Sequence, residues 1–262
     1  MASAVAWLCL LSMRITGKAF GNVIADGTIW IVLSQTQFGF AWEMRLLFGV
    51  VLGACLLLRK KSEGPATTWL MTAASLLAAV YLGALAFAGH GQEGAGMADI
   101  HLAADFLHLN AAGLWLGALI PLALLLASLR RFPEDGWMSA AAAAAARFST
   151  LGILAVAILV VSGTVNAAFL LGGMHNLIDT AYGRLLLLKI ALFAVMLFLA
   201  GINRQYLLAR LSKVGGTDLG SRTVQQLIRS GAAEIALGFA IVLIVGVLGM
   251  MAPPNDIAGH IH

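Results

Sequence analysis

An all-α, polytopic transmembrane bundle of about seven spans follows from three properties of this chain. Of its 262 residues, 61% are hydrophobic and 11% charged, and the mean hydropathy of +0.93 lies outside the soluble globular range. Apolar runs close to the roughly 20 residues that cross a bilayer recur along its length. Lys and Arg gather in alternate connections between those runs, as retention of positive charge on one side of a membrane requires.

The runs follow in order. Ala2 to Met13 is apolar but brief; Arg14 and Lys18 then intervene, so either the helix continues obliquely to about Ala25 or residues upstream are missing from this chain. Thr28 to Phe40 holds Trp30 and Gln35 in a moderately apolar stretch and reads as an interfacial connection. Met44 to Leu58 reaches spanning length once Trp42 and Arg59 are counted. Thr67 to Ala88, Leu102 to Leu129, Ala144 to Leu171, Leu185 to Leu208 and Ala232 to Met251 are the remaining spans. The alanine run Ala140 to Ala146 is a helix entry. One membrane domain, 1–262, is therefore expected: an N-terminal span with its interfacial connection over 1–43, a helical core over 44–252 and a tail over 253–262.

Charge orients these spans. Arg59, Lys60 and Lys61 form one basic cluster, Arg130 and Arg131 a second, and Arg204, Arg210, Lys213, Arg222 and Arg229 a third. Residues 89–100, 172–183 and the tail from 252 contain no Lys or Arg and face outward. In a bacterial inner membrane that side is the periplasm, where the C-terminus lies, and no cleavable signal peptide is evident. The net charge of +4 is thus a matter of topology, and no nucleic-acid partner is expected. Cys9 and Cys55 stand singly in apolar runs, without metal or disulfide spacing. The chain carries no Walker A sequence and no phosphorylated-Asp motif, and neither an ATP-driven pump nor an enzyme is expected.

All six histidines, His90, His101, His108, His175, His260 and His262, fall at the ends of apolar segments or in outward connections. His90 closes the third span; His101, Asp105 and His108 open the fourth, at offsets of four and seven residues that place them on one helical face within about 60°. Imidazole suits copper, zinc or haem iron, and Asp105 either ligates or orients a histidine. The plainer alternative is interfacial hydrogen bonding. Met97, Met174, Met250 and Met251 lie on the same side and offer soft sulfur, and His260 with His262 offers a chelating pair in an extended tail. Within the spans, Ser162, Thr164, Asn166 and Lys189 either line a polar pathway or bond across helices to fix packing. Arg204 and Glu234 are expected to pair as ions near the cytoplasmic side.

These residues fall into a longer pattern. Thr36-x-Phe38-Gly39-x-x-Trp42-x-x-Arg45 precedes the second span, Gly89-His90 ends the third, and Asp105-x-x-His108 with Trp115-x-Gly117 marks the fourth. Arg147-Phe148-Ser149, Ser162-Gly163-Thr164-x-Asn166-Ala167, Thr180-x-Tyr182-Gly183 with Lys189, Asn203-Arg204, Arg229-Ser230 with Glu234, and Pro253-Pro254 with His260 follow in order. From about residue 30 onward the chain resembles the copper resistance protein D family. That resemblance implies a multi-pass inner-membrane protein that moves copper ions from the periplasm toward the cytoplasm, often with a small periplasmic CopC-like copper-binding partner. His90 and His108 would then be outer copper ligands, and Tyr182 would join the polar set. The family usually carries eight spans, so this chain is expected to lack the first or to begin inside it. The alternative function is electron transfer by a haem b held axially between histidines of neighbouring helices.

Overall fold

A bilayer core offers no water to backbone N–H and C=O groups, so an apolar chain of this kind satisfies them along its own length, in helices. The structure, a computed structural model, describes residues 8–10, 12, 13, 16–59, 64–86, 97–131, 136–209 and 218–255, and no strand occurs among them. In chain order the helices are α1 (Phe20–Ala25), α2 (Thr28–Gln35), α3 (Gln37–Arg59), α4 (Pro65–Gly83), α5 (Met97–Arg131), α6 (Trp137–Leu171), α7 (Asn176–Asp179) and α8 (Ala181–Ile202), then a π-helical segment (Asn203–Leu208) and α9 (Asp218–Leu248). Five helical stretches among the described residues are long and apolar enough to cross a membrane: α4, α5, α6, α8 with the turn after it, and α9. The 23 residues of α3 also suffice by length, about 35 Å at 1.5 Å per residue. The protein is a multi-pass membrane protein. Most helices extend past the apolar run that announces them, because polar turns continue the helix beyond the hydrocarbon.

The chain divides into two units, Met1–Asn110 and Ala111–His262. In the first, Asp26 joins α1 to α2: its carboxylate accepts from Lys18 Nζ at 2.5 Å and from the Thr28 amide at 3.1 Å. Those bonds, the Lys18 bond foremost, pull its carboxyl down to about 2. Eight residues make α2 too short to span. Thr36 then breaks the helix in an extended conformation, and its hydroxyl accepts from the Gly39 amide at 3.0 Å while donating to the Val32 carbonyl at 2.6 Å. This cap starts α3 at Gln37, seven residues before the apolar run at Met44. A side chain at Gly39 would strike the Leu33 carbonyl. Gly64 (φ 65°) and Pro65 at the first helical position begin α4. The Arg45 guanidinium lies 4.9 Å from the centroid of the Tyr81 ring, so the start of α3 meets the end of α4. Gly83 ends α4 five residues short of the expected Ala88, with the Phe106 ring in the space its side chain would fill.

Three apolar layers hold the second unit together. Leu126, Met138, Ala141, Val224 and Leu227 make the layer at the end that carries Arg131. Ala111, Trp115, Ala155, Leu159 and Met196 make the middle one, where Trp115 meets Phe193 edge-on at 5.8 Å. Leu171, Tyr182, Leu186 and Leu248 make the third. The alanine run lies in the first turns of α6, and fully buried Ala141 lets neighbouring side chains close on the helix. Gly172 in the left-handed region (φ 65°) ends α6, and Asn255 returns there to donate to the Phe169 carbonyl at 3.0 Å. Beyond it the device of the first unit recurs: the Thr180 hydroxyl accepts from the Gly183 amide at 2.9 Å and donates to the Asn176 carbonyl at 2.6 Å. Gly183 lies against the Asn176 and Leu177 carbonyls with no room for a side chain.

Loss of the cap and loss of the close approach have different costs. Thr180→Ala is expected to lower stability by about 1 kcal/mol. Gly183→Ala forces α7 off α8 and is expected to cost about 1–3 kcal/mol, as overpacking does. Thermal unfolding in detergent checks both, and equal midpoints for Gly183→Ala and the parent would contradict the second.

Candidate functional site

With 35 residues, α5 is about 52 Å long against a hydrocarbon core of about 30 Å, so turns at its ends stand beyond the core. Its first turns carry His101, Asp105 and His108. His101 is buried, at 4% exposure, and its Nε2 lies 3.9 Å from Asp105 Oδ2, an i,i+4 approach within ion-pair range and beyond hydrogen-bond length. Asp105 is the more open of the two, and His108, three residues further on, is half-buried. His101 and Asp105 thus share one face of α5. An imidazole and a carboxylate are ligand types that suit copper or zinc, and a carboxylate within reach of the ring can orient it once the two close to hydrogen-bond distance. Among the described residues, no three His, Cys, Asp or Glu side chains draw close enough to hold a metal ion by themselves. His90, His260 and His262 lie outside the described residues. Met97, Met174 and Met250 are exposed.

The polar residues inside the spans behave differently from one another. Thr164 is exposed, and its hydroxyl donates to the Val160 carbonyl of its own helix at 2.8 Å; Ser162 is buried and bonds Ile158 in the same way at 2.6 Å. Asn166 is buried at 8% exposure and Tyr182 at 7%, the latter in the third apolar layer. Lys189 is half-buried on α8.

A cavity of about 370 Å³ opens between α5, α6, α8, the π-helical segment and α9 in the second unit. Trp115, Leu119, Phe148 and Leu197 are among its apolar walls, and Ser149, Asn203, Arg204 and Glu234 supply its polar groups. Glu234 is 1% exposed. Its Oε1 accepts from Asn203 Nδ2 at 2.5 Å, while Glu234 Oε2 and Asn203 Oδ1 are buried without a hydrogen-bond partner among the described residues. Arg204 is exposed and donates to Ser149 Oγ at 2.6 Å. The expected Arg204–Glu234 ion pair is therefore not formed. Its physical reason is the helical register: α8 widens into the π-helical segment at Asn203, so that Asn203 meets α9 and Arg204 meets α6. Such π segments are frequent at functional sites. Charge complementarity favoured arginine for Glu234, and a local π-turn leaves no signal in hydrophobic periodicity. The nearest sequence signs were the adjacency of Asn203 to Arg204 and the position of Ser149 beside Arg147 and Phe148.

Removing a donor to a buried carboxyl group is costly, whereas an exposed charged contact contributes little. Asn203→Ala is expected to destabilise the protein by about 1–3 kcal/mol and Ser149→Ala by less than about 1 kcal/mol. Unfolding midpoints in detergent check the order.

Comparison with known proteins places these features. Residues 142–248 match the family model described as copper resistance protein D, and residues 1–100 that described as the copper resistance protein D-like N-terminal domain. The chain is 28% identical over 266 residues to copper resistance protein D of Pseudomonas syringae pv. tomato, covering 98% of this chain and 84% of that one. It is 30% identical over 244 residues to the copper transport protein CutJ of Bacillus subtilis, covering 92% of this chain and 41% of the relative. The inner membrane protein YebZ of Escherichia coli is 28% identical over 254 residues, covering 97% and 81%. No solved structure matches.

Proposed function

This chain belongs to the copper resistance protein D family, and from that premise we propose that it takes up or transports copper ions across the bacterial inner membrane. The observation that carries the proposal is the His101–Asp105 approach at 3.9 Å on α5, with His108 three residues further along the same helix. Copper is received on the outward side by His90, His101 and His108 with Asp105 in support, and His260 and His262 of the tail assist capture. The absence of Lys and Arg from residues 89–100, 172–183 and 252–262 supports an outward position for all of them, with the C-terminus in the periplasm. Inner-membrane location draws support from the name of the Escherichia coli relative. A small periplasmic CopC-like protein is the proposed donor.

Asp105 has a definite task in this scheme. A carboxylate beside a ligand imidazole fixes the ring's orientation and raises its basicity, which typically accounts for 10- to 100-fold in metal affinity. Passage inward would use Asn166, Tyr182 and Lys189 before the Glu234 cavity; Thr164, turned outward and bonded to its own helix, is the weakest member of that set. Haem ligation by the same histidines draws no support from the matched relatives, whose names refer to copper where they name a metal.

Elemental analysis with an absorption spectrum of the detergent-purified protein tests the proposal. Copper without a Soret band is expected, His90→Ala and His108→Ala are expected to lose most of it, and Asp105→Asn is expected to weaken copper binding by about 10- to 100-fold. Unchanged copper content in both histidine variants would overturn the ligand assignment.

A further inference from the structure

The pairing of Glu234 with Asn203 is incomplete in a specific way. One amide hydrogen of Asn203 reaches Glu234 Oε1; the second carboxyl oxygen, Glu234 Oε2, and the amide oxygen, Asn203 Oδ1, are buried and lack a donor among the described residues. A carboxylate and a primary amide side by side leave that pattern, two acceptors with nothing between them. An amide and a carboxylic acid do not: the acid's O–H donates to the amide oxygen while the amide N–H donates to the acid carbonyl, closing a ring of two hydrogen bonds. A single hydrogen satisfies both vacant acceptors at once.

We propose that Glu234 and Asn203 together bind one proton, held between Glu234 Oε2 and Asn203 Oδ1, and that this proton is exchanged through the adjoining cavity as copper crosses the membrane. The bond formed on loading is O–H at Oε2; the bond broken on release is the same one, and no electron changes hands. A metal cation fits these oxygens poorly: hard cations gather six or more oxygen ligands, copper favours imidazole or sulfur ligands, and the remaining cavity wall is mainly apolar and offers neither. Among the described residues that line the cavity, Arg204 is the other charged side chain. Its guanidinium engages Ser149 instead of the carboxylate, so Glu234 has no standing counter-ion in the wall. Gly231, one turn before Glu234 on α9, and Gly201, just before Asn203, both line the cavity and leave it open beside the pair. The chain holds no nucleotide-binding motif, and a wall carboxyl that alternates between charged and neutral can balance the entry of a cation. The exchange step rests on the copper-transport reading; the proton site does not.

Infrared spectroscopy of the purified full chain at neutral pH tests the site. A carboxylic acid C=O band that shifts in D2O is expected, present in the parent and absent from Glu234→Gln. Glutamine restores both hydrogen bonds as an amide–amide pair, so this variant is expected to fold with the parent's helix content. Asn203→Ala keeps the acid but removes its acceptor and is expected to move the band to higher frequency, a readout available even where Glu234→Gln fails to fold. Spectra in which neither variant alters the carboxylic acid region would overturn the site. In liposomes enclosing a pH-sensitive dye, copper uptake by the parent is expected to move protons, and Glu234→Gln to reduce that flux at least tenfold. Copper uptake with no proton movement would overturn the exchange while leaving copper transport intact. No uptake by the parent would overturn copper transport and the exchange together, with the infrared band still deciding the site.

Discussion

A membrane interior gives a polar group no water to fall back on, and this constraint orders everything described above. The chain meets it with economy at most positions: the hydroxyls of Ser34, Thr72, Ser75, Thr150, Ser162 and Thr164 each donate to the carbonyl four residues earlier in the same helix. Such back-bonding quiets a hydroxyl wherever it points. Polarity inside a span is thus a poor sign of function when the residue is Ser or Thr. A carboxylate has no hydrogen to donate and cannot be quieted in this way, so Glu234 in its charged form draws its partner, Asn203, from another helix.

Small residues decide where helices come together. Gly83 admits the Phe106 ring, Gly183 admits the backbone of α7, and Gly238 leaves space that the Leu116 side chain occupies. Lipid tails are as apolar as leucine, so helix association in a bilayer leans on close packing instead of on water release. The large exposed apolar side chains, Leu57, Trp69, Phe198 and Leu243 among them, are then the lipid-facing surface of the protein, where the same residues in water would mark an association site.

Composition and charge spacing made the class legible because the bilayer demands it of every spanning segment: the runs at Leu102, Ala144, Leu185 and Ala232 each begin inside a helix long enough to cross. Helix ends were less legible. Thr36 caps α3 well before its apolar run begins, and Gly83 closes α4 before its run is exhausted, since caps and packing, and not hydropathy, set those limits. Within the sites, the shared face of His101 and Asp105 followed from helical phase alone. Asn203 as the partner of Glu234 did not, because phase counted at 3.6 residues per turn fails across a π-helical segment.

The two threonine caps carry a geometric consequence of their own. A helix whose first residue is fixed has the compass bearing of every later residue fixed with it, at about 100° per position. Slipping the start of α8 by one residue would swing Tyr182, Leu186 and Met196 out of the layers they fill. Thr180 with Gly183, like Thr36 with Gly39, therefore serves as an index mark, aligning a rod more than twenty residues long from a single turn at one end.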